Sequence, residues 1–221
     1  MIKELVKSKK VFLFDFDGVL VDSVEIKTSA FARLYQNYGS EVVENVINFH
    51  RENGGMSRFD KFKYFHNNFL NQNINSDEID DLADKFSDFV VDSVIKAPVI
   101  GCSEDFLKKV CDDDLDSFIV SATPQKEIEE IVQKRNWNMY FKGIYGSPTS
   151  KAKNIDKILT KNKSYQKKDC IFFGDALSDL NAAQSHRIDF IGIDNQRTHI
   201  FKKRVKKDFL FPDFTYLNSI M

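Results

Sequence analysis

Two carboxylates, Asp15 and Asp17, stand one residue apart at the end of the short apolar run Val11-Phe12-Leu13-Phe14. Acids that close repel each other unless a cation shares them. Hard oxygen ligands in small number suit magnesium, which keeps several waters and also touches substrate phosphate. Gly18 follows directly and lets the backbone turn tightly beside an anion. The plain alternative is that both acids only cap the loop leaving a strand. Against that, Gly174-Asp175 supplies another carboxylate after another apolar run, where a third ligand would be needed. Asp179, four residues on, reads either as a helix N-cap or as a residue that orients the metal site from behind.

Phosphate chemistry needs more than acids. Phe118-Ile119-Val120-Ser121-Ala122-Thr123-Pro124 ends an apolar run in a hydroxyl, with proline placed to open a helix. Ser121 and the amides that follow, Ala122 first, can hold phosphate oxygens as helix starts do. Thr123 reads as a cap. Lys151, at the close of Gly146-Ser147-Pro148-Thr149-Ser150, can neutralise charge on a nucleophile and on a transferring phosphoryl group; Lys153 is the rival for that role.

Five apolar runs read as strands buried on both faces: Val11–Asp15, Phe118–Ser121, Gly143–Tyr145, Cys170–Gly174 and Phe190–Ile193. Helical stretches lie between the later ones, at Gln125–Asn136, Ala152–Lys161 and Asp179–Ser185. The alternation predicts an α/β fold with a Rossmann-like parallel sheet. Such sheets bind ligands beyond the carboxyl ends of their strands. Asp15, Ser121, Lys151 and Asp175, far apart in sequence, all fall at or near such ends.

The stretch between the first two strands reads instead as helices, over Ser29–Tyr38, Arg58–Leu70 and Ser76–Ile95. This predicts a core of residues 1–22 and 97–221 with an all-helical insertion at 23–96. Its hinges are expected at Asp22–Val24 and Lys96–Val99, where Pro98 opposes a continuing helix.

With 42% hydrophobic and 29% charged residues, the chain is composed like an ordinary soluble globular protein. A formal net charge of -1 offers no basic field for nucleic acid. The local run Lys202-Lys203-Arg204-Val205-Lys206-Lys207 reads as a solvated face. Three cysteines in unrelated contexts, and a polar N-terminus without a long apolar stretch, predict a cytoplasmic protein with no membrane association. The apolar Phe209–Phe214 segment is expected to pack on the core rather than form an interface, and a monomer or a homodimer is equally open.

Taken in order, Asp15-Phe16-Asp17-Gly18-Val19-Leu20-Val21-Asp22-Ser23, Ser121, Lys151 and Gly174-Asp175 with Asp179 resemble the four motifs of the haloacid dehalogenase superfamily. The resemblance implies a Mg2+-dependent enzyme in which Asp15 attacks phosphorus to form an aspartyl phosphate. By it, Asp17 protonates the leaving oxygen and then activates water, and the metal is held by the Asp15 carboxylate, the Asp17 backbone carbonyl and Asp175. The second aspartate is typical of phosphate-handling members and argues against dehalogenation. The helical insertion resembles the cap of the phosphoglycolate phosphatase and beta-phosphoglucomutase branch, and Gly55-Met56-Ser57-Arg58 looks like the substrate-facing loop of the latter.

Residues His50 to Arg58, with two glycines and two arginines, read as a flexible polar loop. Arg58 is expected to grip a distal phosphate or carboxylate, or else to be a surface residue in a helix's first turn. His50 is a candidate substrate ligand whose alternative is a partly buried structural histidine. The leading expectation is a phosphatase acting on a small phosphorylated metabolite. A phosphomutase, or a noncatalytic binding protein on the same fold, are the alternatives.

Overall fold

The computed structural model describes residues 2–194, 200–201 and 204–221, so Lys202 and Lys203 of the basic run lie outside the described residues. The first half of the chain forms α1 (Ile2–Lys7), β1 (Val11–Phe14), α2 (Val24–Tyr35), α3 (Ser40–Glu52), α4 (Arg58–Asn68), α5 (Ser76–Lys96) and α6 (Ser103–Asp112). Then come β2 (Asp116–Pro124), α7 (Gln125–Lys134), β3 (Gly143–Ser147), α8 (Lys151–Lys161), β4 (Cys170–Gly174), α9 (Leu177–His186), β5 (Asp189–Ile193), β6 (Leu210–Phe211) and α10 (Thr215–Ile220).

The strands pair in parallel in the order β3-β2-β1-β4-β5-β6. Side chains alternate along each strand, so each contributes to two cores. Phe12 and Phe14 of β1, Ile119 of β2 and Ile171 and Phe173 of β4 face one layer, with Phe106 of α6, Ile128 and Ile131 of α7 and Leu217 of α10. Val11, Leu13, Phe118, Val120 and Phe172 face the other, with Ile155 and Ile158 of α8 and Leu180 and Ala183 of α9. This is the expected α/β sheet, with helices on both faces and a two-residue sixth strand. Phe214, fully buried, packs at a tilt against Phe14, Phe106 and Phe173, so the C-terminal segment packs on the core.

Strand order reverses between β1 and β4, which opens a crevice beyond their carboxyl ends. β2 runs on past Ser121 to Pro124 through a register irregularity, longer than its apolar run suggests.

Helices α2 to α5 occupy the sequence between β1 and β2. Their aromatic interior, Phe31, Tyr35, Phe62, Phe65 and Phe86, joins the first core cluster. α5 starts on a reciprocal cap: the Asn75 side chain accepts from the Glu78 N–H at 3.0 Å, and the Glu78 carboxylate accepts from the Asn75 N–H at 2.9 Å. α2 begins earlier than predicted, at Val24, although Ser23 at its N-cap donates its hydroxyl to Asp17 instead of capping the helix. α3 was not expected: it begins without a side-chain cap, and it absorbs His50, Arg51 and Glu52 from the predicted loop.

The two chain crossings between insertion and sheet run side by side. Val21 bridges Val99 in antiparallel fashion, the Asp22 N–H donates to the Pro98 carbonyl at 2.9 Å, and the Ile100 N–H donates to the Leu20 carbonyl at 3.0 Å. Arg135, at the end of α7, donates to the carbonyls of Val94, Ile95 and Ala97 at 3.2, 2.7 and 2.9 Å, satisfying the C-terminus of α5.

Candidate active site

Asp15 leaves β1 at the switch point, with its N–H donating to the Phe173 carbonyl of β4 at 2.9 Å. Its Oδ1 accepts from the Phe16 N–H at 2.7 Å and its Oδ2 from Lys151 Nζ at 2.6 Å. Lys151 opens α8 behind the cap of Ser150 and also donates to Asp179 Oδ1 at 2.5 Å. Lys153, the rival in sequence, lends only its backbone N–H to the Ser150 side chain. Asp179 is fully buried in the first turn of α9, not at its N-cap, and its Oδ2 accepts from the Ala176 N–H at 3.0 Å. Both its oxygens are therefore engaged, one holding the lysine and the other the loop after β4.

The electrostatics reflect this crowding. Burial, the largest influence, pushes the Asp15 carboxyl up to about 7, with Asp179 and Asp17 adding repulsion and Lys151 opposing. Asp175 is raised well above its ordinary value, by burial and then by Asp15 and Asp179. Burial would lower Lys151, yet the two carboxylates outweigh it and hold the amine charged. One carboxylate oxygen from each of Asp15, Asp175 and Asp179 lies within 4.8 Å of the others. A hard divalent cation fits there, since it relieves repulsion that one lysine leaves uncompensated. Asp175 accepts no side-chain hydrogen bond among the described residues, whereas the oxygens of Asp15 and Asp179 already hold Lys151 and main-chain N–H groups.

Gly18 makes room for this cluster. It has φ +78°, and a Cβ there would stand 2.2 Å from Asp175 Oδ2.

Asp17 has a separate cradle. Its carboxylate accepts from Ser23 Oγ at 2.6 Å, from Thr123 Oγ1 at 2.9 Å and from Lys27 Nζ, while Lys27 also donates to Thr123 at 2.8 Å. Burial would raise Asp17, but Lys27, Ser23 and Thr123 together hold it below the usual carboxylate range. The Asp17 side chain lies outside the acid cluster, so a metal role for this residue rests on its main-chain carbonyl. Lys27 and this use of Thr123 were not singled out from the sequence. Ser121 is buried, its hydroxyl accepting from the Thr123 N–H at 3.1 Å.

These residues floor a cavity of about 460 Å³ whose lining includes Asp15, Asp17, Lys27, Ser121, Ala122 and Asp175. The insertion supplies the other wall, with Phe31, His50, Arg51, Gly54–Met56, Arg58, Lys61 and Phe86. The loop before α4 presses onto the sheet side: at Gly55, φ +74°, a Cβ would stand 2.0 Å from Ser178 Oγ and 3.2 Å from Lys151 Nζ.

Arg58 is neither a free anion ligand nor a surface residue. It is 5% exposed, and its guanidinium forks onto Glu127 of α7 at 2.9 and 2.5 Å, with Ser87 of α5 donating to the same carboxylate at 2.5 Å. The fork that the sequence reserved for a distal anion is filled by the protein's own acid. Arg58→Leu is expected to cost about 3–5 kcal/mol, because Glu127 stays buried without its cation. Adding Glu127→Leu should recover most of that loss, and urea unfolding of the single and double variants checks both.

Residues 12–193 match the haloacid dehalogenase-like hydrolase family, and the chain belongs to it. No curated protein sequence matches significantly. Among solved structures, a predicted phosphoglycolate phosphatase from Haemophilus somnus is 17% identical, with TM-score 0.73 over 96% of this chain and 98% of that one. Beta-phosphoglucomutase from Clostridium difficile is also 17% identical, with TM-score 0.73 over 96% of each chain. The HAD-hydrolase YfnB of Bacillus subtilis, bound to magnesium and showing interdomain movement, is 14% identical, with TM-score 0.70 over 96% and 98%. At these identities the likeness is one of fold. Among the described residues no helix is long and apolar enough to cross a membrane.

Proposed function

We propose that the chain is a magnesium-dependent phosphatase that hydrolyses a small phosphorylated metabolite through an aspartyl phosphate on Asp15. The observation that carries this reading is the placement of Asp15. It sits at the switch point, one oxygen on Lys151 and the other on the Phe16 N–H, with Asp175 beside it and Asp17 facing the same cavity.

Lys151 and the Phe16 N–H fix the Asp15 carboxylate so that one oxygen can attack phosphorus, breaking the bond to the leaving oxygen. Ser121 and the Ala122 amide receive the phosphoryl oxygens. Magnesium, when bound by Asp15 and Asp175, supplies charge neutralisation on the phosphoryl group. Asp17 gives a proton to the leaving oxygen, then takes one from the water that attacks the aspartyl phosphate, releasing phosphate and restoring Asp15. The Ser23, Lys27 and Thr123 cradle orients Asp17 and favours its ionised form, so the proton it gives in the first step is one taken up from solvent before the site closes, and the carboxylate left behind takes the water's proton. Residues 23–96 act as a cap that closes over the site and excludes bulk water.

The test is inorganic phosphate release from a panel of small phosphomonoesters and an aryl phosphate, with and without magnesium, for wild type and Asp15→Asn. Magnesium-dependent release lost in the variant supports the reading; release that persists in Asp15→Asn defeats it. A product that keeps its phosphate when a bisphosphate activator is supplied identifies a phosphomutase instead.

A further inference from the structure

The cations that line the cavity are almost all spent. Lys27 is paired with Asp17, Arg58 with Glu127, and Arg51 with Glu25 at 3.1 Å. Lys61, on the second turn of α4, is the exception: it is 2% exposed and makes no ion pair among the described residues. Its Nζ donates to Nδ1 of the buried His50 at 2.7 Å and stands over the Phe31 ring at 5.6 Å. His50 packs on the same ring, with centroids 4.9 Å apart.

An imidazole that accepts at Nδ1 carries its own proton on Nε2 when neutral. Burial, then Lys61 and Lys27, keep this ring neutral, against a lesser pull from the Val24 carbonyl. Nε2 is buried and makes no hydrogen bond of full geometry. The cavity wall thus holds an ammonium that is hydrogen-bonded to a neutral ring but has no counter-ion among the described residues. Buried charges are ordinarily paired, and here the missing partner is an anion.

We propose that Lys61, held in place by His50, binds a second anionic group of the substrate, so that the enzyme selects phosphomonoesters carrying a further carboxylate or phosphate at the end remote from Asp15. This rests on the phosphatase reading for the reacting end, and it moves distal recognition from Arg58 to the next turn of α4. Burial, then Lys27 and Lys151, lower Lys61 to about 7, with Asp175 and Asp17 opposing. Selection therefore weakens as the ammonium is lost above neutral pH.

Calorimetry with unreactive phosphonates, magnesium present, tests this without turnover. Propylphosphonate has one anionic end, phosphonobutyrate adds a carboxylate, and propanediphosphonate adds a second phosphonate. Wild type is expected to bind at least one two-ended compound roughly tenfold or more tighter than propylphosphonate. Which one is preferred names the distal anion. That ratio should fall to within about twofold in Lys61→Met, shrink in His50→Leu, and decline in wild type between about pH 6 and about pH 9. Equal binding of all three, no binding of any, or a preference that survives both Lys61→Met and the rise in pH overturns the proposal. Absence of phosphate release with the ratio intact would overturn the phosphatase reading alone.

Discussion

Asp15→Asn is expected to abolish turnover, lowering kcat by at least about four orders of magnitude. The amide keeps the shape of the side chain and an oxygen for Lys151, but it cannot attack phosphorus. Folding should survive, because Lys151 keeps its 2.5 Å contact with Asp179 and the Asp15 N–H keeps its bond to Phe173. The measurement is phosphate release at saturating aryl phosphate and magnesium, beside a thermal unfolding curve. A folded variant that retains a substantial share of wild-type rate would show that another group is the nucleophile. A variant that is inactive because it is unfolded is recognised by its unfolding curve.

Lys151→Met should damage both stability and rate. The substitution leaves Asp15 and Asp179 buried without the cation between them, close to Asp175, which is already raised by its neighbours. Stranding buried carboxylates in this way costs about 3–5 kcal/mol. At roughly 2–4 °C per kcal/mol for a chain of this size, Tm should fall on the order of ten degrees. Magnesium should restore part of that Tm, since a cation bound by the folded state stabilises it. Loss of the positive charge beside the phosphoryl group should lower kcat by a further two to three decades, as roughly expected for one lost electrostatic stabiliser. Calorimetric scans with and without magnesium, together with initial rates, check both effects. An unchanged Tm and a rate within about tenfold of wild type would remove Lys151 from the site.

The sheet and the acids at its switch point were legible in the sequence because β1 and β4 are short runs buried on both faces, each followed directly by an aspartate. A continuous apolar run with a polar stop needs no tertiary information to be recognised. Lys151 could be read from its position ahead of a helix, although only the fold separates it from Lys153. What escaped is held by contacts remote in sequence. Lys27 sits among ordinary helical residues, and its use appears only when α2 lies beside Asp17 and Thr123. Glu127 looks like any acid in a helix's first turn until Arg58 and Ser87 close on it. α3 was hidden because it starts behind Gly39 at φ 94° without a side-chain cap, and Val42, Val43, Val46 and Ile47 weaken its helical signature. Its last turn carries the polar residues His50, Arg51 and Glu52 ahead of two glycines, a composition that reads as loop, so only the fold puts His50 on a helix.

The paired crossings at Val21 and Val99 also bear on how such an enzyme can evolve. Because the two ends of the helical segment are already hydrogen-bonded neighbours, its length and identity can change without displacing a strand of the sheet. Doubling a loop between ends that already meet costs only about 0.6 kcal/mol. The stretch between those crossings can therefore be lengthened, shortened or replaced while the sheet keeps Asp15 and Lys151 where they stand.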